Sequence, residues 1–205
     1  INIFRTNLKD KIQFSPADDE VKKFGYSYQW ENVDDAYVQG VELGAKANLF
    51  RNFNAGINWT FNQGKFKHER ADWSDPNDET VKEFPQRLQY AKDSRNISRF
   101  PAMTGDIDLD YTPDTWSFSL TSSLQGKMYI DYNSEDDGAT SKIKKTNTFM
   151  LFNCRAAKRF GMCTVYAGAK NIFSYIQDEK HTDDAAFMYA PVYGATWYVG
   201  LSVKL

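Results

Sequence analysis

At 205 residues with 41% hydrophobic content, the chain is long and apolar enough to fold, which separates it from disordered sequences. Its 25 basic and 27 acidic residues leave a net charge of -2, so there is no general field to hold nucleic acid or an anionic surface. No apolar run approaches the roughly 18 residues that a membrane helix needs, and the 15 Phe, 12 Tyr and 5 Trp stand beside alternating apolar residues, a pattern that favours strands.

In chain order, strands are predicted near 1–13, 33–50, 53–66, 99–112, 115–131, 146–159, 163–174 and 195–205. The first and sixth alternate poorly; in the sixth, Phe149, Met150, Leu151 and Phe152 are apolar on both faces. The second sets Val41, Leu43, Ala45, Ala47 and Leu49 against Glu42, Gly44, Lys46 and Asn48. The third sets Phe53, Ala55, Ile57, Trp59 and Phe61 against Asn54, Gly56, Asn58, Thr60 and Asn62. Trp116, Phe118, Leu120 and Leu124 repeat the pattern in the fifth, as do Trp197, Val199, Leu201, Val203 and Leu205 in the last. Successive side chains of a strand point to opposite faces, so each of these segments separates an apolar environment from a polar one.

The connections alternate too. Tight turns are expected at Arg51-Asn52, Pro113-Asp114 and Phe160-Gly161, where Asn, Pro, Asp and Gly suit sharp backbone geometry. Long polar stretches near 15–31, 67–95, 133–145 and 175–194 separate them. Short turns at one end and long loops at the other are the rhythm of an outer-membrane β-barrel, and an even strand count places Ile1 and Leu205 on its periplasmic side. With neither an initiator Met nor a signal segment at Ile1, the chain is expected to be a mature end or an excised piece.

Several motifs carry a bland reading beside a sharp one. Asp106, Asp108 and Asp110 imitate a calcium loop, but Tyr111 stands where Gly is needed and Ser117 where Glu is needed; they are expected as a ladder of lumen-facing acids paired with basic residues. Gly40 and Gly44 match a helix-joining spacing, yet in a strand they fall on the inward face and would leave room for a plug. Asn58 and Asn96 are glycosylation sequons of little weight, the first being inside a strand. Cys154 and Cys163 flank a predicted turn and are expected as separate thiols, with a cross-strand disulfide as the alternative. Asp72, Asp75, Asp78 and Glu79 read as a solvated charge run, with divalent-cation binding between neighbouring surface groups as the alternative. In the last loop, His181, Tyr189 and Tyr193 are the ligand-contact candidates, set against an aromatic girdle near the rim. His68 and His181 are the only histidines, and no catalytic residue, metal site or cofactor is assigned.

Three segments give a family resemblance. Asn32 to Leu43 with its Gly40-Val41-Glu42, Arg99-Phe100-Pro101-Ala102 at a strand start, and Lys170-Asn171-Ile172-Phe173 before the last loop resemble the final third of TonB-dependent receptors, in the same order. Gly200, Val203 and Leu205 resemble the terminal β-signal read by the barrel assembly machinery, although Leu205 replaces the usual aromatic. The resemblance implies an all-β, transmembrane antiparallel β-barrel, with this chain supplying about eight C-terminal strands of a plugged barrel of about 22. It further implies TonB-driven import of siderophore-bound iron, haem, cobalamin or oligosaccharide across the bacterial outer membrane. The partners would be outer-membrane lipid, TonB through a plug outside this chain, a small-molecule or metal-chelate ligand and a surface lipoprotein, with no nucleic acid. A self-contained eight-strand anchor or adhesion barrel is the alternative, and a soluble carbohydrate-binding sandwich a third reading.

Overall fold

A computed structural model describes residues 1–17, 19–134, 140–177 and 189–204. Among these, the strands are β1 (Asn2–Pro16), β2 (Tyr28–Phe50), β3 (Phe53–Phe66), β4 (Met103–Tyr111), β5 (Trp116–Gln125), β6 (Tyr129–Ser134), β7 (Thr140–Lys145), β8 (Phe149–Phe160), β9 (Cys163–Lys170) and β10 (Thr196–Val203). Eight form one antiparallel sheet in the order β1-β2-β3-β4-β5-β8-β9-β10, and β6 pairs with β7 as a separate hairpin. Turns are tight where Asn, Asp or Gly accepts a left-handed backbone: Asn52 has φ 65°, Asp114 φ 46° and Gly161 φ 59°.

The register makes the faces continuous. Across β3, β4, β5 and β8, one row joins Phe53, Tyr111, Phe118 and Ala156, and the next joins Ala55, Leu109, Leu120 and Cys154. The opposite face carries Asn54, Asp110 and Ser119, then Asn58, Asp106 and Ser123. The apolar face is uncovered: Trp197 is 75% and Val199 77% exposed although both lie in regular strand. A soluble sandwich would bury that face against a second sheet. The closed eight-strand alternative also fails, because β1 and β10 occupy opposite ends of the sheet instead of pairing.

Burial is concentrated instead among the long connections, where Phe66, Trp73, Val81, Ile130 and Ile143 form an apolar core. The connection after β1 holds a short helix, α1 (Asp19–Lys22), and the stretch after β3 folds as α2 (Ala71–Ser74), α3 (Glu79–Glu83) and two 3-10 turns, Pro85–Tyr90 and Asp93–Arg95. The hairpin β6–β7 packs beside it.

Four expectations need correction. The strand expected over 115–131 ends at Gln125: the Gly126 N–H still donates to the Met103 carbonyl, and the chain then leaves the sheet to form the separate β6–β7 hairpin. The strand expected from 99 starts at Met103, because Arg99 is left-handed at φ 57° and Pro101 has no N–H for the ladder. The strand expected to 174 stops at Lys170, where Asn171 turns left-handed at φ 50°. Part of the polar stretch 133–145 is β7 rather than loop.

Two tyrosines each lie across a glycine on the polar face. Tyr166 is opposite Gly200 and Tyr198 opposite Gly168, and each ring occupies the space where the partner glycine's Cβ would be. The same device seats Phe4 on Gly40. Gly40 therefore leaves room for its neighbour's ring and not for a plug. Cys163 pairs with Phe160 and Val203 while Cys154 pairs with Ala169, so the two thiols are separate and free. Gly168→Ala, studied in the full-length receptor, is expected to cost about 1–3 kcal/mol by overpacking against Tyr198; a urea unfolding midpoint equal to that of the parent protein would refute this account of the glycine.

Candidate functional site

Two arginines organise the loop end of the sheet. Arg70 donates from Nη2 to Asp131 Oδ2 of β6 at 2.8 Å, and Arg87 donates from Nε to Ser141 Oγ of β7 at 2.8 Å. Each strand of the hairpin is thus tied to the helical connection by one guanidinium. Both arginines share Asp72, at 3.9 Å from Arg70 and 3.2 Å from Arg87, and both lie over the Trp73 ring, Arg87 at 4.4 Å and Arg70 at 5.7 Å. Only part of the acidic stretch is solvated: Asp75 and Glu79 are exposed, Glu79 pairing with Lys82 at 2.7 Å, while Asp72 and Asp78 are half-buried. Asp78 caps α3 by accepting from Thr80 N at 2.8 Å, Asp75 accepts from Asn77 N at 2.8 Å, and Asp72 enters the buried network.

Burial costs this network charge. It pushes the Asp72 carboxyl above the ordinary aspartate value despite the neighbouring guanidinium groups, and it lowers Arg87 for the same reason.

Beside this core a pocket of about 620 Å³ opens at the loop end of the polar face. Thr104 of β4, Ser123 and Gln125 of β5, and Phe149 and Leu151 of β8 form its wall; Arg99, Met128, Ile130 and the segment Tyr189-Ala190-Pro191 close its upper rim. Arg99 holds the left-handed backbone noted above, and its N–H donates to the Tyr129 carbonyl at 2.8 Å, fixing the start of β6. A non-glycine residue in that conformation is strained, and such residues cluster at binding sites. Phe149 stacks on Tyr175 at 5.1 Å and meets Tyr189 at 6.3 Å.

The neck of the last loop is closed by two amides. Asn171 donates to the carbonyls of Tyr175 at 2.7 Å and Tyr193 at 3.2 Å and accepts from Tyr175 N at 2.9 Å. Buried Gln177 accepts from Tyr189 N at 2.7 Å and from Ala190 N at 3.1 Å. Gln125 reaches the Tyr189 carbonyl at 3.2 Å. These bonds place Tyr189 on the pocket rim.

The residues singled out in the sequence scatter. Tyr189 lines the pocket, whereas Tyr193 is 81% exposed and contributes its carbonyl to the neck. His181 lies outside the described residues, as does Leu205. Asp106, Asp108 and Asp110 share the polar face, but among the described residues their expected basic partners are not within ion-pair distance; Asp106 accepts from Asn58 Nδ2 at 2.7 Å instead. Gly200 and Val203 take their places in β10, opposite Tyr166 and Cys163. Arg99, Gln125, Phe149 and Gln177 were missed. An arginine two residues before a proline and a glutamine ending a strand carry no sequence signal of a shared cavity; Lys170-Asn171 gave the only hint of the neck.

A raised carboxyl sets the sign of one pH effect. The opened loop binds its proton at the ordinary value of 3.8 and the packed loop binds it at higher pH. The contribution of Asp72 to loop packing is therefore complete below that ordinary value and is lost as pH rises through the raised one. Hydrogen exchange at the Trp73 and Val81 amides, corrected for intrinsic rate, should show greater protection at pH 4 than at pH 7, relative to an Asp72→Asn protein. Protection that instead grew with pH by comparison with that variant would show an ion pair in control.

Comparison with known proteins gives a consistent pattern. A family model described as TonB dependent receptor-like, beta-barrel matches residues 1–172. Among solved structures, the copper transporter OprC is 21% identical with a TM-score of 0.61 over 95% of this chain. A mutant ferric enterobactin receptor from Pseudomonas aeruginosa, solved with enterobactin, is 19% identical with a TM-score of 0.61 over 98%. The FrpB iron transporter from Neisseria meningitidis is 13% identical with a TM-score of 0.62 over 97%. The present chain spans 26% of the first of these proteins and 28% of the other two.

Proposed function

The chain belongs to the family of TonB dependent receptor-like β-barrels, and from that premise we propose that it forms C-terminal wall and extracellular loops of an outer-membrane transporter for an anionic metal chelate. The observation that carries this reading is the pocket of about 620 Å³, where Arg99, Phe149 and Tyr189 line one cavity beneath the long loops. Its size lies within the range of about 300–1,000 Å³ usual for small-molecule sites.

The residues divide the work of recognition. Arg99 supplies the positive charge, and a guanidinium pairs with the oxygens of a carboxylate, catecholate or phosphate in fixed geometry. Phe149 and Tyr189 offer ring surface to the organic part of a chelate, while Thr104, Ser123 and Gln125 offer neutral hydrogen bonds. Further toward the short turns the same face bears Asp106, Asp108 and Asp110. An anion is thus attracted beneath the loops and repelled deeper in the lumen, so it is held at the outer end until TonB, acting on a plug, drives release.

The apolar face supports the membrane placement. Phe50, Phe53, Tyr111, Phe118 and Trp116 stack in series along the short-turn end, with neighbouring ring centroids 4.7 to 6.4 Å apart. Aromatic belts of this kind sit at the interfaces of transmembrane barrels. The short turns then face the periplasm, and the arginine-bound loop core faces the outside.

Binding to the full-length receptor, read by quenching of its tryptophan fluorescence, tests the assignment with ferric catecholate, ferric citrate and a copper chelate as probes. Arg99→Gly keeps a backbone free to adopt the left-handed conformation but removes the guanidinium, so Kd is expected to rise about tenfold to a hundredfold for the chelate that binds. An unchanged Kd for every chelate that the receptor holds would remove Arg99 from the site.

A further inference from the structure

The apolar face is not evenly filled. Between β5 and β10 it sinks into a groove of about 570 Å³ whose floor is Cys154, Ala156 and Ala167 and whose walls are Phe118 and Leu120 on one side and Trp197 on the other. The register explains the depression, because β8 and β9 set Ala156 directly beside Ala167 and Cys154 beside Ala169, so neither strand puts a large side chain at these two positions. Phe152 on β8 bounds it away from the turns.

At its turn end stands Lys158, two residues from Ala156 on the same face of β8, opposite Trp116 on β5 and Val165 on β9. Its ammonium lies over the Trp116 ring at 4.3 Å and the Phe160 ring at 5.5 Å. Among the described residues no carboxylate is within ion-pair distance of it, and it is the one charged side chain on this face of β4, β5, β8, β9 and β10. A cation in such a setting needs an anion from outside the protein.

We propose that this groove binds one phospholipid of the periplasmic leaflet, its phosphate on Lys158 and one acyl chain along Ala156, Ala167 and Cys154. The geometry suits that occupant. The strand advances about 3.4 Å per residue and tilts about 40° in barrels of this kind, so Cys154 lies about 14 Å along the strand and about 10 Å deeper than Lys158, comparable to the upper part of an acyl chain. The aromatic belt places Lys158 at headgroup level, where basic residues meet lipid phosphates. The occupant rests on the reading above that the short turns face the periplasm, since only that leaflet is built of phospholipid at this end of the barrel.

Native mass spectrometry of the full-length receptor, loaded with dioleoyl phosphatidylglycerol, counts the lipid retained; dioleoylglycerol, which lacks the phosphate, serves as the second probe. The parent protein is expected to retain one phosphatidylglycerol and much less dioleoylglycerol. Lys158→Gln is expected to reduce phosphatidylglycerol retention about fivefold while Lys158→Arg preserves it, and Ala167→Trp, which fills the floor, is expected to abolish it. A lipid count that ignores both Lys158→Gln and Ala167→Trp overturns the site, as does equal retention of the two probes. Membrane fractionation of the same proteins reads the underlying placement separately. A receptor recovered in the outer membrane with an unaltered lipid count defeats this site alone, whereas one absent from that membrane defeats the membrane reading and the site together.

Discussion

Every structural feature of this chain depends on strict alternation between two surroundings. A sheet one layer thick has no interior, so each side chain belongs either to the apolar face or to the polar one, and a slip of one residue in any pairing would exchange the two sets. Register is consequently the quantity the sequence must protect. The glycine and aromatic pairs serve that purpose: Tyr166 on Gly200, Tyr198 on Gly168 and Phe4 on Gly40 each fit only where the partner lacks a Cβ. Shifting β10 by one place would set Tyr198 against Ala167 or Ala169, where no such space exists.

Because the sheet cannot hold a core, the loops do. Phe66, at the end of β3, carries strand geometry directly into the apolar cluster of Trp73, Val81 and Ile130. Arg70 and Arg87 bind that cluster to the β6–β7 hairpin, and the hairpin in turn fixes Met128 and Ile130 at the pocket. Arg99 completes the chain of constraints, since its backbone bond to Tyr129 sets where the hairpin leaves the sheet. The chemistry of the pocket is thus supported by packing outside the barrel wall, and the wall itself supplies the hydrogen-bonding floor.

The family assignment gives these parts a common purpose. On the proposed reading the loop end receives the ligand and the turn end meets the opposite interface, and the two ends of this chain differ in keeping with it. Long connections with buried ionic bonds lie at one end. Tight turns, an aromatic row and Lys158 on the apolar face lie at the other. On the proposed reading, ligand capture and lipid contact are separated along the strands and across the two faces.

The strands and their faces were legible in the sequence wherever alternation was uninterrupted. Val41 to Leu49 and Phe53 to Phe61 could face only one way, and Asn52, Asp114 and Gly161 marked turns through backbone preference alone. Local chemistry likewise exposed the separate cysteines and the terminal strand. What it could not reveal were contacts between segments distant in the chain. Asp72 looked solvated because its partners Arg70 and Arg87 enclose it only after the connection folds, and Gly40 looked like open room until Phe4 of the adjoining strand was in place. Gln125 and Tyr189 are 64 residues apart and become neighbours only through the sheet and the loop neck. Periodicity records the surroundings of one strand at a time; a pocket is a coincidence of several strands and loops, and only the tertiary structure decides it.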